Sequence, residues 1–201
     1  MQQTTVLAVK EQIAERLRSE IISGELAPNQ KLTEIELAER FGVSRGRIRD
    51  VLFELSKEGL LVLRANKGTS VADVAPPDVQ ALLIKLRLSI ETFAVRQAIK
   101  RPGEELEKSF KRALADLAQS FQSGNFAEVT KADIACHRSI VRAGGGEDLV
   151  NLWQPVIMRM RMNYQRITTP EESIAEHEAI YNAILAGDED AAIAALQANV
   201  R

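Results

Sequence analysis

The sequence predicts a mostly α-helical protein in which three helices and a β-hairpin precede an antiparallel bundle of six helices. Three observations lead there. Apolar residues make up 45% of the 201 positions but aromatics only 4%, so the core is Leu, Ile, Val and Ala, a composition that suits packed helices better than stacked sheets. Apolar residues recur at helical spacing along most of the chain. A strand–turn–strand pattern occurs only near residues 60–72, and none appears from Asp78 onward.

Charge and cysteine content narrow the field further. The N-terminal twenty residues lack the basic flank and apolar block of a secretory signal, and no window approaches the roughly 18 apolar residues of a membrane span. Cys136 is the only cysteine, so no intrachain disulfide can form and a cytoplasmic, reducing setting is expected. The formal net charge is −2. Residues 1–72 carry 11 Lys/Arg against 10 Asp/Glu, and residues 73–201 carry 15 against 18. The overall field is weak, so any claim on nucleic acid must rest on local arrangement.

The first helix follows from Ile13, Leu17 and Ile21, spaced four apart, with Gly24 placed to end it. Pro28-Asn29 reads as a turn, Asn tolerating a left-handed conformation. Thr33-Glu34-Ile35-Glu36 fits a capping box and starts a second helix that carries Leu37, Ala38 and Phe41 inward and stops at Gly42. Ser44 caps a third helix, with Ile48, Leu52 and Leu55 buried and Gly59 at its end. Two short helices joined at Gly42-Val43 form a helix-turn-helix. Leu60–Leu63 and Thr69–Ala72 are the expected strands, with Arg64, Lys67 and Gly68 at the tip of a β-wing.

The third helix has an unfavourable charge pattern for an isolated helix. Arg45, Arg47 and Arg49 crowd its start, where cations oppose the helix dipole by roughly 0.3–1 kcal/mol, and Arg45 and Arg49 form a like-charge pair on one face. An external polyanion reverses that sign, because phosphates favour both the arginines and the exposed N–H groups. A solvated basic helix end is the plainer alternative.

The run from Leu17 to Val74, with its "GELAP", "LTEIELAERFGVSR", "IRDVLFEL", "EGL" and "NKGTSV" segments, resembles the winged-helix domain of the GntR family of regulators. The resemblance implies binding to double-stranded operator DNA. It places Thr33, Ser44, Arg45, Gly46, Arg47 and Arg49 at the DNA, the last five in the major groove, with the wing at Arg64, Lys67 and Gly68 approaching the minor groove. Asn29 stands where a turn glycine is usual, and Gly46-Arg47 where Thr-Pro or a similar pair is common.

Asp73-Val74-Ala75-Pro76-Pro77 reads as a stiffened boundary, giving a DNA-binding domain over 1–74, a linker over 75–77 and a second domain over 78–201. Helices are expected at 78–100, 104–123, 126–143, 147–166, 171–186 and 189–201, divided by Gly-, Pro- and Asn-containing breaks, and six such helices suit an antiparallel bundle. Asp133 and His137 are four apart on one helical face, and His177, the other histidine of the chain, lies on a later helix. Such a set can hold a divalent metal (Zn, Ni or Mn); an ordinary surface or capping contact is the alternative. Arg159, Arg161 and Arg166 form a basic run, most of it expected on a solvated face with one member free to enter a cavity. Trp153 and Tyr164 are expected in the core or an interface.

This second part resembles the all-helical FCD effector domain of the FadR subfamily, in its six-helix VanR-like branch, through "LRLSIETFAVRQAI", "DIACHRSIVRAGG" and "EHEAIYNAILAGDEDAAIAAL". The resemblance implies a metal held by Asp133, His137, His177 and a fourth position that here is Asn199, a neutral and poorer ligand than imidazole; weaker binding, a water in the fourth position, and a metal-free FCD regulator are the alternatives. It also implies a small carboxylate effector met by Arg87, for which an i,i+4 salt bridge to Glu91 is the alternative. The expected protein is a homodimeric regulator, acting as a repressor, with each winged helix on one of two two-fold-related half-sites. A metal-dependent enzyme using the Asp/His set, with Glu176 or Glu178 as base, would leave the winged helix unexplained. A winged helix used only for protein contacts would leave the three arginines unexplained.

Overall fold

The computed structural model describes residues 2–200 except 66–67, 102, 125 and 163–168, and side chains from residue 9 onward. Lys67, Tyr164 and Arg166 therefore lie outside the described residues. The N-terminal part runs α1 (Gln2–Ile22), β1 (Lys31–Leu32), α2 (Glu34–Phe41), α3 (Arg45–Lys57), β2 (Leu61–Arg64) and β3 (Gly68–Val71). Leu17, Ile48, Leu52, Leu55 and Leu60 are fully buried between these elements. Beside that core, Arg18 of α1 and Glu58 form a buried two-pronged pair at 2.7 and 2.6 Å.

The wing has one strand more than the sequence suggested. β1 pairs antiparallel with β3, giving the order β1-β3-β2. Two residues are too few to show an alternating pattern, and their pairing is set by the turn before them. Asn29 adopts φ 65°, the sole positive-φ non-glycine among the described residues, and donates its N–H to the Val71 carbonyl at 3.1 Å. A left-handed Asn therefore does the work expected of a glycine here.

Both caps of the helix-turn-helix form. Thr33 accepts from the Glu36 N–H at 3.2 Å, but the Glu36 carboxylate takes the Thr33 hydroxyl at 2.8 Å where a full capping box would have it take the backbone N–H. Gly42, at φ 64°, ends α2 in a left-handed conformation. Ser44 caps α3 by accepting from the Arg47 N–H at 3.4 Å.

The C-terminal part comprises α4 (Pro77–Lys100), α5 (Glu104–Ser123), α6 (Phe126–Arg161), α7 (Pro170–Ala186) and α8 (Glu189–Asn199). α6 is two helical segments broken at Gly146, with φ 65° and ψ −161°, which restores the expected six. The triple glycine also serves packing: a Cβ on Gly144 would come within 2.4 Å of the Ala94 Cα. Only glycine lets α6 touch α4 at that crossing. Thr169 and Glu172 form a complete capping box at the start of α7. Among the described residues no helix is long and apolar enough to cross a membrane.

Candidate functional site

Two groups of residues stand out. The first is the start of α3. Arg45, Gly46 and Arg49 are exposed and Arg47 is half-buried, so the capped helix end presents its basic side chains outward. Thr33 is exposed at the head of α2, and Arg64 and Gly68 face each other at the end of the hairpin, both exposed. Gly68 has φ 84°, with nothing within 4 Å of where its Cβ would stand. Sequence reasoning missed one participant. Glu34, in the first turn of α2, takes both prongs of the Arg49 guanidinium at 2.9 and 2.8 Å and lies 3.8 Å from Arg45. The Arg49 hydrogen bonds hold the Glu34 carboxyl below its ordinary range. A carboxylate thus sits where a phosphate would be expected to bind. The partners are 15 residues apart, beyond any helical periodicity, so only the turn between the helices brings them together.

The second group lies inside the bundle. Asp133 and His137 on α6 and His177 on α7 offer ligand atoms that all lie within 4.8 Å of one another. Both histidines are 1% exposed. Their tautomers follow from their partners. His137 Nδ1 lies 2.8 Å from Glu91 Oε2. Burial would raise the Glu91 carboxyl, but Arg87 and His137 outweigh it and hold it at about 2; an ionised oxygen can only accept, so Nδ1 carries the proton. His177 Nδ1 lies 2.7 Å from the Ser173 carbonyl, which likewise can only accept. Among the described residues neither buried Nε2 atom has a hydrogen-bond partner, and His177 Nε2 stands 3.5 Å from Asp133 Oδ1.

That is the donor set a divalent cation needs: two imidazole nitrogens fixed in rotation by acceptors behind them, and one carboxylate. Orphaned buried nitrogens are costly in any other role. The residues fit a metal. Burial lowers His137, and the nearby Glu91 does not reverse it, so this ring is the neutral ligand form. Burial also disfavours a charged His177, but Asp133 and the Ser173 carbonyl reverse the direction and raise it. Asp133 is held well below its ordinary range despite burial, chiefly by Arg161 and His177.

Arg161 is the member of the basic run that turns inward. It is buried, and its Nη2 pairs with Asp133 Oδ2. Arg87 is 1% exposed and donates Nε to Glu91 Oε1 at 2.7 Å, so the i,i+4 bridge exists, yet its Nη2 has no partner. Trp153, fully buried as expected, donates Nε1 to the same Glu91 oxygen at 2.8 Å. Glu91 thus receives Arg87, Trp153 and His137 together, an anchoring role that no motif marked. Asn199 is buried at the end of α8 and donates Nδ2 to Glu176 Oε2 at 3.1 Å.

Glu91 ties this cluster to acid stability. Its folded value of about 2 lies below the ordinary 4.5, so its contribution is complete above about pH 4.5 and is lost as pH falls towards 2. Urea unfolding at stepped pH should show stability falling through that window, and Glu91→Gln should make the slope shallower by about one proton. Equal slopes would refute the assignment.

Comparisons with known proteins identify the family. Residues 9–71 match the family described as bacterial regulatory proteins, gntR family, and residues 82–201 match the FCD domain. The chain is 30% identical to the HTH-type transcriptional regulator LutR of Bacillus subtilis (strain 168), covering 90% of this chain and 92% of that protein. It is 27% identical to the gluconate operon transcriptional repressor of Bacillus licheniformis, covering 93% and 80%. In fold it is similar to E. coli McbR/YncC, with a TM-score of 0.77 and 20% identity over 96% of this chain and 93% of that one. The protein belongs to the GntR family of transcriptional regulators, with a DNA-binding winged helix followed by an FCD domain.

Proposed function

We propose that this regulator is a homodimeric repressor whose hold on a two-fold operator is controlled by a small organic acid, bound together with a divalent cation among Asp133, His137 and His177. The division into a DNA-binding domain over 1–74, a linker over 75–77 and a sensing domain over 78–201 belongs to the same proposal. The observation that carries it is the pair of buried Nε2 atoms, which have no hydrogen-bond partner among the described residues and sit on rings whose Nδ1–H donates to an acceptor behind each ring. Zn, Ni or Mn would suit these ligands. When bound, the cation would supply Lewis acidity and positive charge to hold an anion. Arg87, with Nη2 unpartnered, would meet the effector carboxylate, and Asn199 could offer only its carbonyl oxygen as a fourth ligand.

At the other end, Ser44, Arg45, Gly46, Arg47 and Arg49 would face the major groove with Thr33 beside them at the DNA, while Arg64, Lys67 and Gly68 would approach the minor groove. The repressor reading is supported by the name of the gluconate operon relative, and gluconate is itself a hydroxy acid of the proposed class. The relatives described above are regulators of transcription, which supports regulation over metalloenzyme chemistry. To test the reading, the purified protein would be titrated calorimetrically with Zn²⁺, Ni²⁺ and Mn²⁺, then with gluconate. Its affinity for an operator selected from random DNA would be measured under each condition. Saturable one-to-one metal uptake and a metal-dependent response to the acid are expected. No uptake of any of the three would remove the metal.

Dimerisation is assigned to α4. Val79, Leu82, Leu86 and Phe93 are exposed and Ile90 is half-buried, and their 3-4-4-3 spacing is that of a helix-to-helix seam. A second copy carries the same stripe, so a two-fold contact is self-complementary. Leu86→Asp places a charge in the seam and should weaken self-association by at least about tenfold, read by sedimentation equilibrium, since an unpaired buried charge is strongly unfavourable. An unchanged dimer would place the interface elsewhere.

A further inference from the structure

The last turn of α6 contacts three different parts of the molecule through three consecutive residues. Arg161 pairs with Asp133. The Met160 carbonyl accepts from Gln80 Nε2, in the first turn of α4, at 3.1 Å. Arg159 donates Nη1 to the Asp73 carbonyl at 2.7 Å, in the segment between β3 and α4. The Arg159 stem also fills the space beside Gly59, where a Cβ would come within 2.8 Å of its Cγ and Cδ. Gly59, at φ 75°, is the corner that leads from the DNA-facing helix α3 into the wing.

Residues two apart on a helix point to nearly opposite sides. Arg161 therefore reaches into the bundle while Arg159 reaches out to the winged helix from the same rigid turn. A shift of that turn moves both.

We propose that Arg159 is the positioning residue that couples the Asp133 cluster to the DNA-binding part, and that the Arg161–Asp133 pair sets the position of the turn carrying it. The trigger rests on the metal reading above. A cation held at the half-buried Asp133 carboxylate would compete for it with the Arg161 guanidinium, and two positive groups repel strongly away from bulk water. Release of Arg161 frees the turn, and Arg159 loosens its hold on Gly59 and Asp73. Operator affinity then changes.

Hydrogen exchange on the full chain tests this at the Leu60 and Ala72 amides. These donate to Leu55 and Leu60 carbonyls at 3.1 and 2.9 Å, immediately beside Gly59 and Asp73. Without added metal, Arg161→Gln should speed their exchange about tenfold while leaving the α5 amides unchanged, as a local opening does. Asp133→Asn, which keeps the side-chain shape, should do the same. Arg159→Ala should also speed them, and adding Arg161→Gln to it should change nothing further. Arg159→Lys keeps the stem and one donor and should behave as the parent. Unchanged amides in Arg161→Gln and Asp133→Asn, additive effects in the double variant, or acceleration spread through α5 would each overturn the coupling. Zn²⁺ added to the parent should reproduce the Arg161→Gln result. Zinc uptake with no change at these amides overturns the coupling. Absence of zinc uptake overturns the metal reading instead, and the Arg161→Gln comparison then decides the coupling by itself.

Discussion

Alanine at His137 is expected to lower zinc affinity by more than about 100-fold, because even loss of a group behind a ligand costs roughly 10–100-fold and His137 is a ligand itself. The expectation follows from geometry. His137 Nδ1 is committed to Glu91 and its Nε2 has no other partner, so the ring has one role in this place. Calorimetric titration of parent and variant with Zn²⁺ reads the loss directly. Circular dichroism should show the helices intact, since Glu91 keeps Arg87 and Trp153. A variant that binds zinc as tightly as the parent would show that the cluster is not the metal centre. Asn199→His offers an opposite sign: an imidazole in place of a carbonyl oxygen should tighten zinc if position 199 reaches the cation. Unchanged affinity would show that it does not.

Arg49→Ala is expected to weaken operator binding by about 1–3 kcal/mol if the guanidinium reads a base, and to reduce the salt slope by about one if it meets a phosphate. Glu34 gives this experiment a second arm. Free protein holds Arg49 in a two-pronged pair with Glu34, so DNA must displace one carboxylate before it gains the arginine. Glu34→Gln removes that competitor and should tighten binding, most strongly to DNA of unrelated sequence, where phosphate contacts supply nearly all the affinity. Fluorescence anisotropy with selected and scrambled duplexes separates the outcomes. If Arg49→Ala and Glu34→Gln both bind as the parent does, α3 is not the DNA-facing helix.

The two arms together explain how a chain of net charge −2 can belong to a DNA-binding family. Charge is concentrated at one helix end, and an acid at a fixed position moderates it. The sequence alone disclosed the arginines because they sit against the helix dipole, within one turn of each other. It did not disclose Glu34, whose effect depends on the crossing of two helices.

The same division runs through the C-terminal part. Asp133 and His137 were legible as a pair because a four-residue spacing places them on one face, His177 joined them as the other histidine of the chain, and the resemblance to FCD domains added Asn199. Glu91 looked like half of a salt bridge with Arg87. In the structure it also anchors His137 and Trp153, from positions 46 and 62 residues away along the chain. Of the basic run Arg159, Arg161 and Arg166, one member was expected to be free to enter a cavity, but the spacing did not say which; Arg161 closes on Asp133 across 28 residues. None of these three contacts leaves a periodic trace: Glu91 meets His137 and Trp153 where α4 packs against α6, and Arg161 meets Asp133 between the two segments of α6 that Gly146 divides.

What the sequence by itself determined was local: where helices begin and end, which face of each is apolar, that Gly144-Gly145-Gly146 interrupts α6, and that Asn29 can turn left-handed. Those features depend on propensity, capping and spacing, interactions that span a few residues and are written in residue type. What only the tertiary structure decided was partnership. It chose Glu34 for Arg49, Asp133 for Arg161 and the Asp73 carbonyl for Arg159, and it added β1 to the wing. Charged and polar groups can serve many partners, and helix packing selects among them by distance. The winged helix could therefore be read from the chain, while its proposed connection to the sensing cluster emerged only once α6 was folded against both.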